Sequence, residues 1–96
     1  MNLNNIKIGI IGLGYVGLPL AVEFGKKYST IGYDIDKNRV VDLKSNFDKT
    51  MEVSNNELKD SNVLFTSKIN ELKHCNVFII TVPTPVDHQN NPDLLP

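Results

Sequence analysis

The order of apolar and polar segments predicts a doubly wound, parallel α/β fold, with strands in the order 3-2-1-4 and the chain ending after the fourth strand. Three observations carry that prediction. Short apolar runs alternate with helix-patterned segments, the arrangement of parallel strands joined by right-handed crossovers. The first run leads straight into Gly12-Leu13-Gly14-Tyr15-Val16-Gly17, a glycine turn opening a helix. An acid, Asp34, closes the second run, 22 residues beyond Gly12. Together they describe a Rossmann-like sheet whose ligand crevice lies between strands 1 and 4, where the winding reverses.

The first strand is expected at 6–11, an apolar run broken only by Lys7 and Gly9. A helix from 15 to about 27 follows, with Val16, Leu20 and Phe24 at helical spacing and Ala21 beside them as the sheet-facing stripe. Pro19 falls within its first turn or so, where the missing N–H costs little. Gly25 and the Lys26-Lys27 pair mark its end, where cations suit the helix dipole. The second strand is short, about 30–33. Asp36 is a good N-cap for a second helix with Val40, Leu43 and Phe47 as its buried stripe. A polar connection follows, in which Ser54-Asn55-Asn56-Glu57 has capping-box spacing. Residues 63–66 read as the third strand, Ser67 as the cap of a brief helix carrying Ile69 and Leu72, and 77–82 as the fourth strand. Four of the five prolines fall in 83–96, which reads as a loop.

Ninety-six residues make one small domain, and the formal net charge of −1 favours neither nucleic acid nor an anionic membrane as partner. The two histidines and single cysteine lack ligand-like spacing, so no metal site is expected, and one cysteine forms no internal disulfide. A reducing, cytoplasmic setting is the expectation. The stretch 6–22 is too short and too interrupted, with four glycines and a proline, for a membrane span.

Each glycine of the loop has a separate task. Gly12 makes the tight turn, Gly14 lets backbone N–H groups approach a pyrophosphate, and Gly17 allows close packing of the helix. The first-turn amides, at the positive end of the helix dipole, then hold the phosphate charge. Asp34 has the spacing of a carboxylate that takes the adenosine ribose hydroxyls and repels a 2′-phosphate, which favours NAD over NADP, tempered a little by the nearby cation of Arg39. The bland alternative is an ordinary turn acid. Arg39 stands either near the adenine or paired with an acid. Thr84, bracketed by Pro83 and Pro85 just past strand 4, faces the glycine loop across the crevice; otherwise it is an incidental residue of a Pro-rich turn. Tyr15 contributes backbone, its ring packing or flanking the cofactor. Cys75, at the other end of the sheet from the crevice, reads as a small, partly buried hydrophobe and no nucleophile.

With these residues in view, Gly12 to Ala21, Tyr33-Asp34 and Val82-Pro83-Thr84-Pro85 together resemble the UDP-glucose/GDP-mannose dehydrogenase family. Val86-Asp87 through Pro92-Asp93-Leu94 is most similar to its UDP-N-acetylhexosamine 6-dehydrogenase branch. The resemblance implies two-step, NAD-dependent oxidation of a nucleotide-sugar C6 alcohol to a carboxylate, for capsular or other surface polysaccharide. It implies Tyr15, Val16, Asp34 and Thr84 as NAD contacts, with Arg39 a weaker transfer, and a homo-oligomeric parent. The family's catalytic cysteine and lysine and its sugar-nucleotide-binding domain lie downstream of the matched stretch. Residues 1–96 are therefore expected to be the N-terminal part of an NAD-binding domain, inactive alone. Two other readings stand beside it: a non-catalytic NAD-sensing module, and a dehydrogenase for a different alcohol.

Overall fold

A computed structural model describes residues 5–81. Its four strands, β1 (Lys7–Ile11), β2 (Ser29–Tyr33), β3 (Val63–Thr66) and β4 (Val77–Ile80), form one sheet in the order β3-β2-β1-β4. Every pairing is parallel, with Ile10 opposite both Gly32 and Ile79, and Gly32 opposite Phe65. The expected fold class and strand order are those observed.

Side chains alternate between the two faces of each strand, and the two faces differ. On one, Ile8, Ile10, Thr30 and Phe65 are buried beneath α1 (Gly17–Gly25) and α2 (Lys37–Lys44), which pack on the central and outer strands. The core continues from there through Leu18, Ala21, Val22, Val40 and Leu43 to Val53 and Leu58. The opposite face is thinly covered. A 3₁₀ helix, Ile69–His74, lays Leu72 and Cys75 against Gly9, while Leu64, Phe78 and Ile80 remain half or more exposed.

Helix α1 is shorter than its apolar pattern predicts, and its buried side is turned. Residues 15 and 16 belong to the glycine turn, and the helix ends at Gly25, where Lys27 and Tyr28 both donate to the Phe24 carbonyl. The buried residues are Gly17, Leu18, Ala21, Val22 and Gly25; Val16 is exposed, and Phe24 only partly covered. Close contact between Gly17 and Gly12 sets the helix's rotation. Gly17, Ala21 and Gly25, four residues apart, then form a low ridge on which the helix approaches the sheet.

Helix α2 is capped as expected: the Asp36 carboxylate accepts from the N–H groups of Asn38 and Arg39. It stops at Lys44, so Phe47 lies beyond it and is half exposed, leaving Arg39, Val40 and Leu43 on the buried side. The capping box is present at α3 (Asn55–Asp60), with Ser54 and Glu57 each bonding the other's backbone N–H. Ser67 does not cap the next helix. The N-cap position falls on Lys68, with no side-chain cap bond, and Thr66 braces the entry by accepting from the Lys68 N–H at 3.0 Å and donating to Glu71 at 2.6 Å. No helix among the described residues is long and apolar enough to cross a membrane.

Candidate dinucleotide site

The glycine turn sits where β1 and β2 end, and residues around it are fixed by the strands beside them. Gly12 has φ of 101°, a conformation that L side chains rarely adopt, and its N–H donates to the Tyr33 carbonyl at 2.8 Å. Leu13 is held on three sides. Its N–H donates to Asp34 Oδ2 at 2.9 Å, its carbonyl accepts from Arg39 Nε at 2.8 Å, and its side chain is fully buried. That side chain occupies space left by Gly32, where a Cβ would come within 2.9 Å of Leu13 Cδ2. The turn is thus pinned before any ligand arrives.

Gly14 and Gly17 have opposite surroundings. A Cβ on Gly14 would meet nothing within 4 Å, whereas one on Gly17 would lie 2.8 Å from the Gly12 carbonyl carbon and closer still to its oxygen. Gly14 therefore borders open space and Gly17 is the packing glycine. The N–H groups of Gly14, Tyr15 and Val16 have no partner among the described residues, and they stand at the N-terminal, electropositive end of α1. A cleft of about 420 Å³ opens beside them, lined by Gly12, Leu13, Gly14, Tyr33, Asp34 and Ile35, with Ile11 behind. Its volume falls within the ordinary range for small-molecule sites.

Asp34 has capacity left for a ligand. Oδ2 holds the Leu13 N–H and Oδ1 the Asp36 N–H, both at 2.9 Å. A carboxylate offers about four acceptor positions, so one on each oxygen remains for a pair of vicinal hydroxyls. The apolar walls, chiefly Ile11 and the exposed Ile35, suit a flat heterocycle next to those hydroxyls.

The expected site residues separate into groups. Gly12, Gly14 and Asp34 line the cleft. Tyr15 and Val16 are exposed in the turn, and Gly17 is buried beneath it. Arg39 is buried behind the turn and pairs with Asp48, Nη1 to Oδ1 at 2.7 Å, the acid-paired alternative of the two given for it. Thr84 lies outside the described residues. Cys75 is buried behind Gly9, and burial raises its thiol pKa, with Lys7 opposing the shift only in part.

Two residues that the motif does not contain also shape the site. Thr81, just past β4, donates from Oγ1 to the Gly12 carbonyl at 2.7 Å and from its N–H to the Ile11 carbonyl at 2.8 Å. It ties the far wall of the crevice to the turn. Its signal was a lone hydroxyl in an otherwise apolar strand. Asp48 is the other, a buried acid within a stretch that reads as plain polar connection.

Comparison with known proteins agrees with this geometry. Residues 6–95 match the model of the UDP-glucose/GDP-mannose dehydrogenase family, NAD binding domain. The chain is 50% identical over 95 residues to a UDP-N-acetyl-D-glucosamine 6-dehydrogenase of Pseudomonas aeruginosa. It is 52% identical over 92 residues to Protein CapL of Staphylococcus aureus. These alignments take in 98% and 96% of the chain and 22% of each relative, so the chain spans about a fifth of their length. A solved GDP-mannose dehydrogenase from Pseudomonas aeruginosa superposes with a TM-score of 0.79 at 23% identity, over 91% of this chain and 22% of that one, and shares the fold. NAD is accordingly the cofactor of this kind of domain, and the chain belongs to the UDP-glucose/GDP-mannose dehydrogenase family, of which it carries the NAD-binding domain.

Proposed function

We propose that this chain is the NAD-binding portion of a nucleotide-sugar 6-dehydrogenase that oxidises the C6 alcohol of a UDP-N-acetylhexosamine to the carboxylate for surface-polysaccharide synthesis. The observation that carries this reading is the identity of 50% over nearly the whole chain to UDP-N-acetyl-D-glucosamine 6-dehydrogenases, from Pseudomonas aeruginosa and Salmonella typhi alike. The overall change consumes two NAD⁺ and one water and yields the carboxylate, two NADH and three protons, each cofactor accepting one hydride.

Within the chain, the free N–H groups of Gly14, Tyr15 and Val16 hold the pyrophosphate, with Gly12 and Gly17 shaping the turn that presents them. Asp34 takes the adenosine ribose hydroxyls. Arg39 supports the turn from behind, and Thr84 is read from the motif as a further NAD contact. A UDP-sugar substrate, a homo-oligomeric assembly and a cytoplasmic setting complete the reading. Cys75 is no candidate nucleophile, since it is buried away from the cleft with a raised pKa. The 96-residue chain alone is therefore expected to form no NADH from a UDP-sugar, and formation above a protein-free control would overturn that.

The direct test is calorimetric titration of the chain with NAD⁺ beside its Asp34→Ala variant. Loss of two charge-assisted hydrogen bonds should raise Kd at least about tenfold. Equal affinities would remove the ribose role.

A further inference from the structure

Asp48 lies outside the cleft, yet it is the most heavily bonded side chain described. Oδ1 accepts from Arg39 Nη1 at 2.7 Å, from the Thr50 N–H at 2.9 Å and from the Thr50 hydroxyl at 2.6 Å. Oδ2 accepts from the N–H groups of Glu52 and Val53 at 2.9 and 3.0 Å. The carboxylate thereby folds residues 48–53 around itself and presents one charged oxygen to Arg39. The Arg39 guanidinium is planar and rigid, so fixing Nη1 also fixes Nε, which donates to the Leu13 carbonyl at 2.8 Å. The same Leu13 peptide is gripped on its other side by Asp34. Arg39 is more than nine-tenths buried, and its Nη2 has no partner among the described residues.

That uneven use of the guanidinium is informative. A buried Arg–Asp pair is weak evidence for stability, because desolvation of both ions offsets their attraction. Nη2 adds a further unmet donor. What the pair accomplishes geometrically is to aim one N–H at the backbone of the glycine turn. We infer that Asp48 is a positioning residue for dinucleotide binding: through Arg39 it sets the orientation of the Leu13–Gly14 peptide, and hence the direction of the free N–H groups that follow. The inference rests on the proposed NAD role of the turn and extends it to a residue outside the motif.

The experiment has two arms on the full chain, both run at a temperature where circular dichroism shows each variant folded. The first is amide hydrogen exchange, without ligand, at Gly12, Leu13 and Leu18, the bonded N–H groups in and beside the turn. The second is the Kd for NAD⁺. Asp48→Asn and Arg39→Lys should each speed exchange at these amides about tenfold and raise Kd about tenfold. The double variant should raise Kd by little more than either single change, because both break one strut. Leu58→Ala, a core truncation under α3, serves as the control for general loosening and should leave both readouts near the parent's.

If Asp48→Asn does not fold, Arg39→Lys decides, since it keeps a cation for Asp48 but lacks the fork that reaches Leu13 as well. Unchanged exchange in the turn overturns the inference. So does faster exchange with unchanged Kd, an equal effect from Leu58→Ala, or multiplicative effects in the double variant. Failure of the parent chain to bind NAD⁺ would overturn the proposed function instead, and the exchange arm would then decide the strut alone.

Discussion

Two neighbouring glycines should separate folding from binding. At Gly17, an added Cβ would sit 2.8 Å from the Gly12 carbonyl carbon and closer still to that carbonyl's oxygen and to Thr81 Oγ1. The obstacle is backbone, so relief requires α1 to move off the turn. Overpacking of this severity costs about 3 kcal/mol or more. For a chain of this size each kcal/mol lowers Tm by roughly 4–8 °C, which puts Gly17→Ala on the order of 15 °C below the parent. At Gly14 the same methyl meets nothing within 4 Å, and its φ lies outside the left-handed region. Alanine there should change stability by no more than about 1 kcal/mol, with a favourable unfolded-state term. The methyl instead enters the open space that the proposed binding mode gives to the pyrophosphate. Gly14→Ala should therefore melt like the parent and bind NAD⁺ at least about tenfold more weakly, a loss of about 1.4 kcal/mol. Thermal melts by circular dichroism and NAD⁺ calorimetry on both variants supply the comparison. Parent-like affinity in Gly14→Ala would show that phosphate does not pass there, and a parent-like melt in Gly17→Ala would refute the packing argument.

Acid should weaken the fold through Asp48. Burial raises its pKa, but hydrogen bonds from the Thr50 side chain, Arg39 and the Val53 and Thr50 backbone outweigh that and hold it at about 2 against an ordinary 3.8. A depressed folded-state pKa means stabilisation that is present above about 3.8 and lost as pH falls through about 2, amounting to about 2 kcal/mol; a carboxyl resonance of Asp48 titrating near 4 in the folded protein would contradict it. Strand β4 presents an apolar edge with no strand partner among the described residues, and Phe78 and Ile80 beside it are 51% and 67% exposed. Such an edge recruits another strand, so the chain should self-associate with rising concentration, and a strictly monomeric sedimentation profile at high concentration would count against it.

The strands and their order were legible because a parallel sheet writes itself as short apolar runs separated by crossovers. Gly12, Gly14 and Asp34 were legible because the motif is a statement about geometry. Helix α1 was misphased for an instructive reason. Apolar periodicity counted Val16, Leu20 and Phe24, while the helix is oriented by two residues without side chains, Gly12 and Gly17, which carry no hydrophobic signal. Phe47 was counted into α2 by spacing alone, although the helix ends three residues earlier. Ser67 was read as a cap by residue type, whereas the N-cap position of the next helix falls one residue later, on Lys68, and carries no side-chain cap bond. Asp48 was invisible because an acid among Lys, Thr and Glu looks solvated. Only the path of residues 48–53 around it reveals a buried anchor.

The attachments of the glycine turn show how little of the site lies in the motif. The Gly12 N–H is taken by the Tyr33 carbonyl, the Leu13 N–H by Asp34, and the Leu13 carbonyl by Arg39. The Leu13 side chain rests where Gly32 has none. These four supports fall within residues 32–39, the end of β2 and the start of α2, and Thr81 adds a fifth from beyond β4 by donating to the Gly12 carbonyl. One of them, Asp34, is also the residue proposed above to take the ribose hydroxyls. In the proposed binding mode, ribose binding and orientation of the turn are therefore not independent, because the carboxylate proposed to receive the hydroxyls also holds the Leu13 N–H at 2.9 Å. The glycines make the turn permissible; the second strand–helix unit makes it one conformation. A sequence that kept the glycine pattern but placed a β-branched residue at 32 or lost Arg39 would retain the signature while losing the preorganisation that gives the signature its meaning.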